Sequence, residues 1–580
     1  MNSQLLQGEK YLWRLPDVDN KLVADIAASY NLSFPIVQTL VTRGFTQKEA
    51  LDAFLFSTYE RDVAHPSLMK DAQKSVDRIL YAIEHQEKIL ICGDYDVDGI
   101  TSSSLMMISL LPLGAQVNFH LPHRVKDGYG LSTKTVERAA KNGYKVIITV
   151  DNGITAFEPA LRAKELGIDL IITDHHRPHD HVPDAFAIVN PNQDDCQYPF
   201  KVLAGVGVSF KLLSLLYELK GLTMPVKAYE LLLLGTVADV VPLIGENRFW
   251  VRHGLNYVNQ HESLALRVLK QNGKVLHERI SSTDVGFSLA PQINALGRLE
   301  DPRQGVGFLI GSNAKDVEHT GKILLELNEA RKEIDRSIYN HVVHEIQKGT
   351  IDLGSENIIL AASNQWAPGV IGLVAGRLMN AYGKPALLFH LTKNGIAKGS
   401  CRSIPEFNMF NALQANKDLL ISFGGHSMAA GLSLKIENLP ILKQKLEQMI
   451  REQLSEMDLK QKLVLDGSAR LSDLNQKFMA DLNHLEPFGN TNSVPVFYLP
   501  DVVCVQKPQL LKDAHVKCNV FADGVIKPLM FFNRPDLFEK IQAIGEESFS
   551  VAAQVKENHW NGRANIELMG TDVAFSSSKK

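Results

Sequence analysis

Asp94, Asp96 and Asp98 fall within five residues of one another in the stretch Lys88-Ile-Leu-Ile-Cys-Gly-Asp-Tyr-Asp-Val-Asp-Gly-Ile-Thr101. Carboxylates crowded in this way repel, and a bound cation is the least costly way to hold them. A solvated acidic turn, or the acidic start of a helix, would carry the same residues. Three further segments end alike, however: Val150-Asp-Asn-Gly153, Thr173-Asp-His-His176 and Ala238-Asp-Val-Val-Pro242. Taken singly, His175 or His176 reads as an ordinary structural histidine; the recurrence favours a divalent-metal site. Carboxylates alone suit Mg²⁺, and added imidazole tilts the choice toward Mn²⁺. A carboxylate shared by two cations about 3.5–4 Å apart would make a phosphoryl-transfer centre.

These residues need an edge to converge on. Lys88–Gly93, Gln116–Leu121, Lys145–Val150 and Asp169–Thr173 read as short buried strands. Helical stretches at Asp71–Glu87, Lys134–Asn142 and Ala156–Leu166 alternate with them. Thr101 and Ser102 are placed to cap an apolar helix, Leu105–Leu111. Such a βαβ series predicts a parallel sheet with helices on both faces, whose carboxyl edge binds ligands. The apolar segment Leu231–Val237 would deliver Asp239 to the same edge. Leu203-Ala-Gly-Val-Gly-Val-Ser-Phe210 could cradle a phosphate or simply allow close helix packing; it is no dinucleotide fingerprint. In the crossover Leu121–Leu131, Arg124 and Lys126 could meet phosphates and Tyr129 could stack on a base, or the cations could be solvated.

The remaining chain reads as separate modules. Residues 1–65 form short helices with no evident chemistry, a small lid or docking piece. Residues 66–275 are the metal-binding domain, and 276–350 a connecting segment with a long helix. In that helix Ile323, Leu327, Ala330, Ile334, Ile338, Val342 and Ile346 make a narrow apolar stripe, as in a strut between domains. A second αβ domain, 351–456, carries Gly399-Ser-Cys-Arg-Ser-Ile404 and Phe423-Gly-Gly-His-Ser-Met-Ala-Ala-Gly431. Paired glycines there permit close backbone approach, and small residues after His426 would let a helix start face an anion. Residues 460–575 read as the short strands of a barrel, with Phe497, Tyr498, Phe521, Phe531, Phe532 and Trp560 as stacking candidates, most of them core. The region is near neutral: 13 Lys and Arg against 14 Asp and Glu over residues 462–580. The tail Ser576–Lys580 reads as disordered.

Composition sets limits. Length, 45% hydrophobic and 22% charged content over 580 residues suit a soluble multidomain protein. A net charge of −4 offers no global basic field. Five cysteines without a C-x-x-C pair argue for a reducing compartment and against a zinc ribbon. With no signal peptide or spanning stretch, a cytoplasmic location is expected.

In order and spacing, Gly93–Gly99, Val150–Gly153, Asp174–His176 and Ala238–Pro242 resemble the four motifs of the DHH phosphoesterase superfamily. Over essentially its whole length the chain resembles the RecJ family within it. That resemblance implies a multidomain α/β fold: a parallel-sheet DHH domain, a DHH-associated αβ domain joined by the long helix, and a C-terminal OB-type β-barrel. It implies a metal-dependent exonuclease that degrades single-stranded DNA 5′→3′ to 5′-mononucleotides, in DNA repair and recombination, with two Mn²⁺ or Mg²⁺ ions.

By resemblance Asp96 and Asp151 would hold one metal. Asp98, Asp151, His175 and Asp239 would hold the other, and Asp94 would ligate or orient its neighbours. Some relatives place a ligating histidine where this chain has Cys92. His176, facing the scissile phosphate without ligating, would form the catalytic group with Asp151 and Asp174. Arg124 and Arg298, the latter in Pro291–Arg298, would meet the 5′ end. Ser400, Arg402 and Ser403 would bind nucleic-acid phosphate. Gly424, Gly425 and His426 would close over the substrate opposite the metals. Single-stranded-DNA-binding protein and a helicase would be partners of a monomeric enzyme. Two rivals stand beside this: a DHH phosphodiesterase of oligoribonucleotides or cyclic dinucleotides, and a non-catalytic RecJ-like replication scaffold. The N-terminal extension and barrel weigh against the first, and the complete set of carboxylates against the second.

Overall fold

A computed structural model of the chain describes residues 5–124, 127–560 and 563–575; Lys126 and the tail 576–580 lie outside them. The chain divides into two compact units. One comprises residues 56–333 with 487–493, and the other residues 5–55, 334–486 and 494–575.

The first unit is built on a parallel sheet in the order Gln116–His120, Lys88–Cys92, Tyr144–Val150, Asp169–Thr173, Ala187–Val189. Its strands alternate cleanly. Ile89 and Ile91 enter the larger core with Val76, Ile100 and Val206, while Leu90 and Cys92 enter the opposite one with Val136, Ala160 and Ile172. A period of two puts successive side chains on opposite faces, so helices can cover both. These strands match the sequence reading to within a residue or so.

Two expectations fail here. The helix after the first strand runs Val97–Leu110, with Asp96 as its N-cap; Thr101 and Ser102 are interior, and Thr101 Oγ1 donates to Val97 O at 2.8 Å. Gly99 and the serines look like helix breakers, but small residues are what let this helix pack against its neighbours, and burial overrides propensity. Likewise Leu231–Val237 belongs to a helix, Lys227–Ala238, so Asp239 arrives from a helix C-terminus and not in the manner of a strand end. Pro291–Arg298 also lies in a helix, Ala290–Leu299, entered through a π-helical turn at Val285–Leu289.

The second unit contains a five-stranded sheet in the order Leu420–Gly425, Ala429–Lys435, Ile396–Arg402, Ala386–Leu391, Ile359–Ser363; only the last pair is parallel. Against it Ile338 and Val342 of the long helix Ala314–Gln347 are buried, whereas Ala330 of the expected stripe is exposed and Leu324, outside that stripe, is buried in the first unit's core. Phe423–Gly431 is a hairpin, not a helix start: His426 N donates to Ala429 O at 2.8 Å.

Five strands close a barrel in this unit: Phe497–Cys504, Phe549–Trp560, Arg563–Phe575, Val525–Phe531, His515–Ala522 and back to the first through Val503 and Cys504. Phe497 and Phe531 are core, whereas Phe521 and Phe532 are exposed. The Trp560 side chain lies outside the described residues. Helices Gln476–Asn483 and Leu537–Ile544 were not foreseen.

Nor is the N-terminal segment purely helical. Strands Leu5–Gln7 and Leu12–Arg14 form a small sheet with Lys462–Val464. Trp13 is fully buried and its Nε1 donates to Asp572 Oδ2 at 3.0 Å; the same carboxylate accepts from Lys10 N and Tyr11 N and pairs with Arg534. A buried aromatic and a satisfied buried carboxylate anchor the N-terminus to the barrel. Among the described residues no helix is long and apolar enough to cross a membrane.

Candidate metal centre

Asp94, Asp96 and Asp98 follow the first strand into the helix it feeds. Acids in a first turn suit the helix dipole. Asp98, buried, is fixed from another direction: Oδ2 accepts from Gly205 N at 2.6 Å and Oδ1 from Val206 N at 2.8 Å. These are the first N–H groups of the helix Gly205–Leu219. The glycine-rich stretch therefore serves close packing, and its helix start grips a carboxylate instead of a phosphate. A Cβ on Gly205 would stand 2.6 Å from Asp151 Cβ and 2.8 Å from its Oδ1.

Asp151 ends the third strand in left-handed backbone, φ 62°. Its N–H donates to Thr173 O, and Tyr129 Oη donates to its carbonyl, each at 3.1 Å. A strained non-glycine residue is held only where its surroundings impose it, and such positions gather at functional sites.

Asp174 is buried and saturated. Oδ1 accepts from His175 N, His176 N and His176 Nδ1, and Oδ2 from Ile154 N. With its acceptors occupied it orients the histidines, so its expected place in the catalytic group becomes that of a positioning residue. Burial works against its charge, but the His176 hydrogen bond, the charges of both histidines and the Ile154 N–H together outweigh it and hold its carboxyl below the usual range. His176 responds in kind: burial lowers it, the Asp174 bond with the charges of Asp174, Asp98 and Asp96 together more than compensates, and the ring is drawn upward. His175 is instead depressed to about 4, by burial first and then by His176. It is a neutral imidazole, the form that ligates metals. Its carbonyl accepts from Asn192 Nδ2 at 2.6 Å.

Three overlapping sets of potential ligand atoms gather among the described residues, each within 4.8 Å: Asp94, Asp96 and Asp151; Asp98, His175 and Asp239; and Asp151, His175 and His176. His175 Nε2 lies 3.2 Å from Asp151 Oδ1 and 3.6 Å from Asp239 Oδ2. Yet His175 Nε2, Asp239 Oδ2 and Asp94 Oδ1 are buried without a hydrogen-bond partner among the described residues. Burial, then Asp96, raises Asp94 well above the carboxylate range; burial, then Asp98, does so for Asp151 and Asp239. Burial and Asp96 push Asp98 up to about 7. Mutually repelling carboxylates and orphaned lone pairs aimed at one another fit divalent cations. Cys92 does not join them. It is 2% exposed in the opposite core, and burial pushes its thiol to about 12.

Arg124 lies over the Tyr95 ring, 5.0 Å from its centroid. Tyr95, half-buried, is pushed up to about 12 by desolvation and Asp94, and both Arg124 and Arg298 act on it in the opposite sense. Two guanidinium groups thus border the acidic centre. Tyr129 meets Tyr95 and His176 edge-on at 6.3 and 6.2 Å.

In the second unit Ser400 and Arg402 share one face of their strand, above the start of the helix Ile371–Tyr382. A Cβ on Gly372 would lie 2.7 Å from Ser400 Oγ and 3.4 Å from Arg402 Nη2. Hydroxyl, guanidinium and helix N-terminus together can receive an anion. Ser403 is not part of this: it is fully buried and donates to Phe407 O at 2.7 Å. Gly424, Gly425 and His426 lie exposed at the hairpin tip, where Gly425 has φ 134°. Arg402→Ala is therefore expected to raise the KM for an oligonucleotide about tenfold and flatten its salt dependence. Ser403→Ala should leave KM unchanged and cost about 1–2 kcal/mol of stability. A KM for the Ser403 variant as high as that for the Arg402 variant would contradict this division. Gly205, Tyr95 and Gly372 were not singled out by sequence. Only the paired glycines of Leu203–Phe210 hinted at the first, and nothing local marked the others.

Comparison with known proteins bears on this geometry. Residues 88–236 match the DHH family, N-terminal domain; residues 355–452 match the DHHA1 domain; residues 465–572 match the RecJ OB domain. The chain is 36% identical over 573 residues to single-stranded-DNA-specific exonuclease RecJ of Bacillus subtilis, covering 98% of this chain and 71% of that protein. To the same-named protein of Salmonella typhimurium it is 34% identical, covering 85% and 89%. The crystal structure of RecJ in complex with Mn²⁺ from Thermus thermophilus superposes with a TM-score of 0.82 at 25% identity, covering 98% of this chain and 80% of that one.

Proposed function

We propose, because this chain belongs to the RecJ family of DHH phosphoesterases, that it hydrolyses single-stranded DNA from the 5′ end to 5′-mononucleotides. It is a metal-dependent exonuclease, and Mn²⁺ or Mg²⁺ is its cofactor. The observation that carries the reading is the convergence of five carboxylates, three of them buried, and a neutral His175, with orphaned lone pairs, at one sheet edge. Asp96 and Asp151, with Asp94 beside them, would hold one cation; Asp98, Asp151, His175 and Asp239 would hold the other. When bound, two such cations lower the pKa of water and offset charge developing on phosphate.

The chain's own residues do the rest. His176, held by the Asp174 hydrogen bond that draws its pKa upward, donates to the scissile phosphate. Arg124 and Arg298 fix the terminal 5′ phosphate beside the metals, which sets polarity. Ser400 and Arg402, with the Gly424–His426 tip, grip backbone phosphates, and the barrel holds the strand further along. The barrel and the complete acidic set favour this over a dinucleotide phosphodiesterase or an inert scaffold. One chain carries every group named, so a monomer suffices, recruited by single-stranded-DNA-binding protein and a helicase. Its free cysteines suit the reducing cytoplasm.

The test is digestion of an internally labelled oligonucleotide blocked at either end in turn, with Mn²⁺ or Mg²⁺ and an Asp151→Ala control. Digestion only with a free 5′ end, lost in the control, is expected. Digestion only from a free 3′ end would refute the polarity, and cleavage of dinucleotides alone would refute the substrate.

A further inference from the structure

Val240, the residue after Asp239, has φ 59° and is 64% exposed. A β-branched residue seldom adopts left-handed backbone, and it stays there only if something imposes it. No packing of the valine side chain does so. The constraint comes from Asn490, 250 residues later: its Nδ2 donates to Val240 O at 2.7 Å, and Leu243 N donates to its carbonyl at 2.9 Å. Asn490 thus holds the turn after Asp239 at two points.

The segment that presents Asn490 is itself built rigidly. Gly489 and Asn492 exchange backbone hydrogen bonds of 2.8 and 3.1 Å, and the buried Asn492 side chain donates to Pro487 O at 2.8 Å. Ser282 Oγ donates to Phe488 O at 2.6 Å, and a Cβ on Gly489 would stand 2.6 Å from Leu243 Cδ1. Although residues 487–493 lie in sequence beside the barrel strands, they pack within the unit that carries the acidic centre.

We infer that residues 487–492 are a positioning clip for the metal centre, in which Asn490 holds Val240 in its strained form and so aims Asp239 at the cation shared with Asp98 and His175. The inference rests on the proposed metal reading. Partners that orient metal ligands are commonly worth about 10–100-fold in metal affinity. Losing the Asn490 amide, while the backbone bond from Leu243 N stays, leaves Val240 O unheld and lets Val240 relax to ordinary backbone, which swings Asp239 away. Glycine at 240 needs no clip, since left-handed backbone costs it nothing.

The experiment is titration of the metal-free, full-length chain with Mn²⁺ alone, read by calorimetry and by the electron paramagnetic resonance of free Mn²⁺. Asp239→Ala identifies which binding event involves Asp239. Asn490→Ala should weaken that event about tenfold and leave the other unchanged. Val240→Gly should bind as wild type, and Val240→Gly with Asn490→Ala should recover most of the lost affinity. Wild-type affinity in Asn490→Ala overturns the clip, as does a double variant no tighter than Asn490→Ala. A folded wild-type chain that binds no Mn²⁺ overturns the metal reading itself, and the clip with it. Should Asn490→Ala fail to fold, the Val240→Gly background decides, because Asn490 should be dispensable there and is not if the clip does something else.

Discussion

Replacing Asp151 by Asn is expected to lower exonuclease activity by about three orders of magnitude or more, while making the metal-free chain more stable. The first effect follows from charge stabilisation worth several kcal/mol, at about 1.4 kcal/mol per tenfold in rate. Asp151 belongs to two of the three ligand sets and lies 3.2 Å from His175 Nε2. Asn keeps the shape and tolerates left-handed backbone, so a loss would be chemical and not conformational. The second effect follows from burial, and then from Asp98, Asp96 and Asp239, all of which disfavour the Asp151 charge. Removing it should relieve that repulsion and raise the metal-free melting temperature. Mn²⁺ should stabilise wild type strongly and the variant little. A metal-free variant that melts below wild type would contradict the stored repulsion; an active one would remove Asp151 from the centre.

The same repulsion fixes a pH dependence. Asp98 has a folded pKa of about 7 against an ordinary 3.8. A raised carboxyl pKa contributes stability that is complete below the unfolded value and is lost as pH rises through the folded one. In the metal-free chain this contribution should therefore fall between about pH 4 and 7, and the Asp151 variant, relieved of one neighbouring charge, should show a shallower fall. Saturating Mn²⁺ should reverse the slope, since protons then compete with the metal.

Gly205→Ala should be nearly as damaging as losing a ligand, although Gly205 bears no functional group. Its Cβ would stand 2.9 Å from Asp151 Cα as well as against the carboxylate, so backbone must move. Overpacking of this kind costs about 1–3 kcal/mol. The shift also disturbs the Gly205 and Val206 N–H bonds that orient Asp98. A misplacement near 1 Å costs about 100-fold in rate. Gly207→Ala is the control, because its Cβ meets only the Leu203 side chain at 3.3 Å. Equal activity in the two variants would show that close approach to Asp151 does not matter.

What the sequence determined by itself is the local periodicity and the chemistry at its ends. The parallel strands, the stripe on the long helix and the acids at Asp94, Asp96, Asp98, Asp151 and Asp174 were legible because strand alternation and βαβ order need only short-range information. Where propensity and burial disagree, only tertiary structure could decide. The serine-rich Val97–Leu110 helix forms because close neighbours need small residues there, and Leu231–Val237 is helical although its apolar run has no period to read. Function shows the same division. Candidate ligands could be named from spacing, but that Ser403 faces inward, that Cys92 lies in the wrong core, and that Asp174 spends its lone pairs on backbone and histidine depends on contacts between distant segments. Gly205 against Asp151 and Asn490 against Val240 are pairings of that kind. Each residue is ordinary in its own stretch, and its role exists only because folding brings it to the edge where the carboxylates end.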